Sequence, residues 1–127
     1  MSKYNNSKVE LPSGERFDSV KEYRRWRELL FLQHDGKISD LQRQVKFELV
    51  PAQFETYERY GKDGQRLKDG RRRVEMPVDY VADFVYTKDG KQVVEDVKGY
   101  TDGAAYRIYV IKRKLMLYVH GIKILET

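Results

Sequence analysis

The sequence has no cysteine, only two histidines and no long apolar run. The absence of cysteine excludes disulfide bonds and thiolate metal sites, and it is compatible with a reducing cytosol. No apolar stretch approaches the roughly 20 residues of a membrane span, and the N-terminal segment MSKYNNSKVELPSGE lacks the apolar core of a signal peptide. We therefore expect a cytoplasmic protein without a membrane partner.

Several common functional motifs are also missing. The sequence contains no zinc-ligand spacing, Walker phosphate loop, Ser/His/Asp set or dinucleotide-binding fingerprint. His34 and His120 are widely separated, so ordinary surface or packing roles are predicted for them. The 127 residues suit one domain with a modest core, and the net charge of +5 favours a polyanionic partner.

Local signals predict a helix, several strands, a second helix and a last strand. Ser19-Val20-Lys21-Glu22 matches a capping box, and Gly36 predicts the end of the first helix. Apolar residues at helical spacing predict one buried stripe, with Arg24, Arg25 and Arg27 mostly outside. The other predictions are a loose N-terminal arm (1–12), strands (41–49, 54–60 and 122–125), a polar loop with two Asp-Gly turns (61–70) and a second helix (103–119).

The central prediction is a β-hairpin from Tyr80 to Tyr100, with its turn at Asp89-Gly90. Because side chains alternate along a strand, Val81, Asp83 and Val85 are predicted to share one face of the first arm. In the second arm, Asp96 and Lys98 share one face and Glu95 lies on the other. Charged side chains within Val-rich strands need compensation, which a divalent cation can provide.

The runs FDSVKEYRRW, YVADFVY and VVEDVKGY resemble the PD-(D/E)XK nuclease superfamily, and in particular a family of short, mostly phage-encoded proteins assigned to it. The shared pattern is an aspartate, a short hairpin and then acidic-x-Lys, although Ala82 stands where the superfamily often has proline. The resemblance implies an α/β fold with a restriction-endonuclease-like core. In that core a mixed β-sheet is flanked by helices, in the order αβββαβ with an extra strand or hairpin. If phage-encoded, the protein would act in a bacterial host cell.

The resemblance also implies a magnesium or manganese site. Asp83, Asp96 and the carbonyl of Val97 would be metal ligands, Glu22 on the first helix would join them, and Lys98 would assist phosphodiester hydrolysis. Gln44 matches the strand in which some relatives carry a polar active-site residue. Carboxylate and carbonyl oxygens are the ligands that Mg²⁺ prefers, which agrees with these assignments.

Structural explanations of the same residues stay open. Asp83, Asp96 and Lys98 can equally form a cross-strand salt-bridge cluster on a solvated face, worth roughly 0.2–1 kcal/mol per pair. Glu22 can serve only the capping box with Ser19.

Basic residues supply candidate DNA contacts, and a plain solvated face is the alternative for each of them. The candidates are Arg71, Arg72, Arg73, Arg107, Lys112, Arg113 and Lys114. The smallest stand-alone members of the superfamily include Holliday-junction resolvases, so the resemblance implies a homodimeric endonuclease that cuts branched DNA, and a nicking or restriction-like nuclease is the close second. The rival hypothesis is a non-catalytic DNA-binding or assembly module with the same fold.

Overall fold

The computed structural model describes residues 7–99 and 101–127, so Tyr100 at the end of the predicted hairpin lies outside the described residues. Within them the chain forms two α-helices and eight β-strands. The helices are α1 (Val20–His34) and α2 (Ala104–His120). The strands are β1 (Val9–Glu10), β2 (Arg16–Phe17), β3 (Ser39–Val50), β4 (Gln53–Tyr60), β5 (Arg66–Glu75), β6 (Val78–Lys88), β7 (Lys91–Asp96) and β8 (Leu125–Glu126).

The largest sheet has four strands in the order β3-β6-β7-β8. β6 is antiparallel to both β3 and β7, whereas β8 is parallel to β7. The parallel pair follows from α2, which connects β7 to β8 as a helical crossover. The predicted α/β class with a mixed sheet and two helices is therefore confirmed.

Separate apolar clusters lie around the sheet and the two helices. One cluster includes Tyr109 and Met116 of α2 together with Tyr80, Ala82, Val85 and Val94 of the sheet. The other joins Leu29 of α1 to Ile38, Phe84 and Tyr86. The central strands β6 and β7 contribute side chains to both clusters, so their backbone is fixed from both sides.

The first helix begins as its sequence predicts. Ser19 is the N-cap in an extended conformation, and its hydroxyl accepts a hydrogen bond from the Glu22 N–H at 3.0 Å. The prediction for Arg25 is wrong, because its side chain is only 25% exposed and its guanidinium is paired with Glu95 of β7.

The hairpin turn also forms as predicted. Asp89 and Gly90 connect β6 to β7 with φ angles of 51° and 76°, the left-handed backbone that a tight Asp-Gly hairpin turn requires. The second arm is shorter than the sequence indicates, because β7 ends at Asp96 and leaves Val97 and Lys98 beyond the strand.

Strands β4 and β5 form a separate two-stranded sheet, called the ribbon below. The predicted polar loop over 61–70 is wrong in its second half, because β5 already begins at Arg66. Asp69-Gly70 is consequently within a strand and is not a turn. A side chain at Gly70 would meet the Tyr57 ring, whose carbon would lie 2.3 Å from the added Cβ, so glycine here permits ring-over-backbone packing.

Two predictions near the chain ends need correction. Residues 1–6 of the expected loose arm lie outside the described residues, but Val9 and Glu10 pair with Phe17 and Arg16 as a short strand. The last strand is Leu125–Glu126, later than the predicted 122–125. In the described part of the chain, neither helix has the length and apolar character needed to cross a membrane.

Candidate active site

The register of the β6–β7 hairpin brings Asp83 and Asp96 together. The ladder ends at the pair Phe84–Glu95, so Asp83 and Asp96 come directly after it on the two strands, near enough for the charge of Asp96 to raise the pKa of Asp83. This is the neighbourhood that alternation predicts. The two side chains are placed near the end of β7, where the sheet gives way to the Val97–Lys98 segment.

Strand β6 is irregular at this point. Tyr80 and Ala82 belong to the α2 cluster, whereas Phe84 and Tyr86 belong to the α1 cluster, so simple alternation is broken between Ala82 and Phe84. The break lies opposite Gln44, which has a positive φ of 52°. The prediction that Val81, Asp83 and Val85 share one face is therefore wrong, because Val81 is 42% exposed and Val85 is buried.

Asp83 is half-buried among polar groups. One carboxylate oxygen accepts a hydrogen bond from the Val97 N–H at 2.8 Å, and the other lies 3.5 Å from the Gln44 amide nitrogen. Burial raises the pKa of Asp83, and the negative charges of Asp96 and Glu22 raise it further. The ionised form of Asp83 is therefore unfavourable unless a positive charge lies nearby.

Asp96 is buried, and it has two protein partners. The Tyr80 hydroxyl donates to one carboxylate oxygen, and the Lys98 ammonium lies 2.8 Å from the other. Burial and the adjacent charge of Asp96 raise the pKa of Tyr80, so its hydroxyl stays protonated as a donor. The Lys98 ammonium also lies 3.3 Å from the centre of the Tyr109 ring, a cation–π contact that restricts its position.

Glu22 has contacts both at the helix N-terminus and with residues of β3, and its carboxylate accepts from Asp18 and not from Ser19, as the capping box would require. One carboxylate oxygen accepts from the Asp18 N–H at 3.2 Å, a local contact at the helix N-terminus. The other oxygen accepts from the Gln44 amide at 3.2 Å and lies 3.8 Å from the Arg43 guanidinium. Burial raises the pKa of Glu22, and the charges of Asp18 and Asp96 raise it too, opposed by Arg43.

Gln44 links the helix to the hairpin. Its amide nitrogen is the shared donor to Glu22 on α1 and Asp83 on β6, the latter at the long limit for a hydrogen bond. The sequence predicted a polar active-site position here, and the structure places Gln44 among the acidic residues. Glu22, Gln44, Asp83, Asp96 and Lys98 are called the acidic site below.

Backbone hydrogen bonds of Thr127 hold the segment that follows β7, a contact that the sequence did not indicate. Its N–H donates to the Asp96 carbonyl at 3.0 Å, and its carbonyl accepts from the Lys98 N–H at 2.9 Å. Lys21 of α1 donates to the carbonyls of Lys98 and Thr127, at 2.6 and 3.2 Å. These contacts fix the backbone on both sides of Val97, whose own N–H is bound to Asp83.

Glu95 is excluded from the acidic site by its own partners. It is fully buried and accepts from two nitrogens of Arg25, at 2.6 and 3.0 Å, and from the Tyr86 hydroxyl at 2.7 Å. Its placement agrees with the prediction that Asp96, not Glu95, lies beside Lys98. A buried glutamate in a Val-rich strand was a signal that a cation had to pack against it, although the sequence did not identify Arg25.

The predicted DNA-contact residues lie in two different regions. Arg71, Arg72 and Arg73 are exposed on β5 of the ribbon. Arg107, Lys112, Arg113 and Lys114 lie on α2, where Arg113 forms a 2.8 Å ion pair with Glu126 of β8. Arg113 also lies 5.9 Å from the centre of the Tyr109 ring, the same ring that the Lys98 ammonium contacts.

The oxygen-rich donor set suits a hard divalent cation. Among residues 7–99 and 101–127, no three Asp, Glu, His or Cys side chains converge as a ready-made metal cage. Mg²⁺ commonly binds through one or two carboxylates and keeps several waters, so Asp83 and Asp96 fit its chemistry without such a cage.

The chain belongs to the family described as Protein of unknown function (DUF1064), whose model matches residues 1–123. No curated protein and no solved structure matches the chain significantly.

Proposed function

We propose that the protein is a metal-dependent DNA endonuclease of the PD-(D/E)XK type. The observation that carries this proposal is the position of Glu22, Asp83 and Asp96 near Lys98, where burial and the charge of Asp96 raise the pKa of both Asp83 and Glu22. The element order also supports it, since helix α1, the β6–β7 hairpin, helix α2 and strand β8 follow the order of the core that the sequence resembles.

A salt-bridge cluster explains only part of this arrangement. Lys98 neutralises Asp96, but Asp83 and Glu22 share the neutral amide of Gln44 as a donor. The Arg43 guanidinium lies 3.8 Å from the Glu22 carboxylate. Holding several partly buried carboxylates near one another is unfavourable for stability. A divalent cation bound during function offsets that unfavourable term.

Each residue of the acidic site has a role in this proposal. Asp83 and Asp96 would hold Mg²⁺ or Mn²⁺, with the Val97 carbonyl and Glu22 as further ligands. When bound, the ion would lower the pKa of a coordinated water and offset the charge that develops on the phosphate. Lys98, held between Asp96 and the Tyr109 ring, would orient the attacking water or stabilise that charge.

Branched DNA is the proposed substrate, cut by a homodimer. This assignment follows from the resemblance to the smallest stand-alone members of the superfamily, which include Holliday-junction resolvases that cut branched DNA as homodimers. A nicking or restriction-like activity on linear duplex is the nearest variant of the same chemistry.

The test is a cleavage assay on linear, flapped, forked and four-way DNA, each with Mg²⁺, Mn²⁺ or EDTA. We expect metal-dependent cutting that is fastest on a branched substrate. Fastest cutting of linear duplex would replace the branched-DNA assignment with the restriction-like one. Folded protein that cuts none of these substrates with either metal would contradict the nuclease proposal.

A non-catalytic DNA-binding module is the second candidate, and one observation favours it. Lys98 already occupies an oxygen of Asp96, and Tyr80 donates to the other, so this carboxylate is satisfied without a metal. A module of that kind would bind DNA equally well with and without divalent metal and would be unaffected by substitution of Asp83.

A further inference from the structure

The ribbon formed by β4 and β5 projects from the domain as a two-stranded sheet with little apolar cover. Every residue of β4 is exposed, including Phe54, Tyr57 and Tyr60. An isolated two-stranded hairpin is marginally stable in water, so exposed aromatic rings on a long one indicate a surface that binds a partner. The pairing register shows which side chains each of its faces presents.

One face of the ribbon carries arginines without acidic partners. Phe54 pairs with Arg73 and Thr56 with Arg71, so these four side chains lie on the same face, called the cationic face below. The Arg71 guanidinium lies 3.6 Å from the centre of the Phe54 ring. Among residues 7–99 and 101–127, neither Arg71 nor Arg73 forms an ion pair, so both charges are available to an anion.

The opposite face is neutralised. Glu55 pairs with Arg72, and their side chains form a charge-assisted hydrogen bond of 2.5 Å. Arg72 also lies 4.9 Å from the centre of the Tyr57 ring, which in turn covers Gly70. The pleat therefore places Arg71 and Arg73 on one face, with charges unpaired in the described part of the chain, and Arg72 on the other face, where Glu55 neutralises it.

The ribbon is connected directly to the strands of the acidic site. β4 follows β3 through Pro51 and Ala52, and β5 leads into β6 through Met76 and Pro77. Arg73 precedes Asp83 by ten residues, which limits their separation to about 35 Å. Because phosphates recur about every 3.4 Å along one DNA strand, the cationic face lies within about ten base pairs of the acidic site.

We propose that the cationic face of the ribbon binds the backbone of duplex DNA in the major groove, on one arm of the substrate cut at the acidic site. This inference rests on the proposed function for the nature of the substrate. The B-form major groove is about 12 Å wide and admits a two-stranded ribbon, whereas the A-form major groove of RNA is too deep and narrow. Arg71 and Arg73 contact phosphates, and Phe54 holds the Arg71 guanidinium in place.

The test compares an Arg71→Gln/Arg73→Gln variant with Arg72→Gln, its matched control on the same strand. Binding of a fluorescein-labelled 30-base-pair DNA duplex is measured in EDTA across a range of salt concentrations, so that no cleavage intervenes. Each lost phosphate contact lowers the slope of log K against log salt by about 0.9, so the double variant should lose about 1.8. Arg72→Gln should keep the wild-type slope and nearly the wild-type affinity.

A further arm tests the groove. An RNA duplex of the same length should show no difference between the double variant and wild type. Circular dichroism of all variants should match wild type, since the substituted side chains are exposed.

Three results would overturn the inference. They are equal losses of DNA affinity in Arg72→Gln and the double variant, no loss of DNA affinity in the double variant, or an equal loss of affinity for DNA and RNA in the double variant. A double variant that changes sedimentation but not DNA affinity would assign the face to contact between copies of the chain, and this too would overturn it. Ribbon-dependent binding by a protein that never cuts DNA would leave this inference standing while contradicting the nuclease proposal.

Discussion

Two neighbouring acidic residues of β7 have opposite surroundings. Glu95 is fully buried but compensated by Arg25, Tyr86 and the Thr127 hydroxyl. Asp96 has Lys98 as its cation, but it stands in the electrostatic field of Asp83 and Glu22. A buried carboxylate with a complete set of partners serves the fold, whereas we propose that the carboxylates around Asp96, which have fewer positive partners, bind a ligand.

The largest effect is expected at the acidic site. Asp83→Asn and Asp96→Asn should each reduce single-turnover cleavage by about 10³-fold, because a neutral amide is a poor ligand for Mg²⁺ and metal activation is worth several kcal/mol. The melting temperature of Asp83→Asn should stay the same or rise, since a like charge is removed, whereas that of Asp96→Asn should fall, because the ion pair with Lys98 is lost. Asp89→Asn in the hairpin turn is the matched control and should cut normally. A folded Asp83→Asn or Asp96→Asn variant that cuts at the wild-type rate would contradict a catalytic role for the acidic site.

The compensated side of β7 should respond in stability instead. Glu95→Gln should lower the free energy of unfolding by about 3–5 kcal/mol, since it removes the fully buried partner charge of the half-buried Arg25 guanidinium and leaves only the exposed Glu28. Denaturant unfolding measures this loss. Glu28→Gln removes the other, exposed partner of Arg25 and should cost less than about 1 kcal/mol. Equal small losses from both substitutions would show that Glu95 is not a structural charge.

Lys98 tests the catalytic part of the proposal. Lys98→Ala should slow single-turnover cleavage by about 10²-fold, the usual loss when one preorganised electrostatic group is removed, while DNA binding stays nearly intact. Lys98→Arg should restore the rate only in part, because a planar guanidinium cannot replace a compact ammonium or act as a base. The exposed Lys91 provides the control as Lys91→Ala. If Lys98→Ala cuts as fast as that control, Lys98 serves only as a partner for Asp96.

Glu22 should give the smallest effect on activity. Glu22→Gln can still accept from Asp18, so stability should change little, while loss of its charge should reduce cleavage about 10–100-fold. Ser19→Ala provides the reciprocal test, because it removes the cap, costs about 1 kcal/mol and should leave activity per folded molecule unchanged. Full activity of Glu22→Gln would assign Glu22 to the helix terminus alone.

The sequence predicted the features that depend on local signals. Ser19 and the Asp89-Gly90 turn are encoded within a few residues, and the hairpin that this turn forms brings Asp83 near Asp96. Alternation was enough to prefer Asp96 over Glu95 as the neighbour of Lys98. The mixed sheet followed from a helix between two strands.

Features that depend on distant contacts were not predictable in the same way. Arg25 and Glu95 are separated by 70 residues, and helical periodicity alone placed Arg25 in solvent. The positive φ of Gln44 and the broken alternation beside Asp83 correspond to no local sequence signal. Asp69-Gly70 matches a turn signal, but the Tyr57 ring across the ribbon uses the space that glycine leaves.

The most direct test of the acidic site is a Mn²⁺ titration of wild type and Asp83→Asn, with Asp89→Asn as control, followed by the electron paramagnetic resonance signal of free Mn²⁺. We predict saturable binding by wild type and the control, and binding at least about 10-fold weaker in Asp83→Asn, because a carboxylate ligand is lost. Equal binding by all three proteins, or no saturable binding by wild type, would contradict the assignment of Asp83 and Asp96 as a metal site.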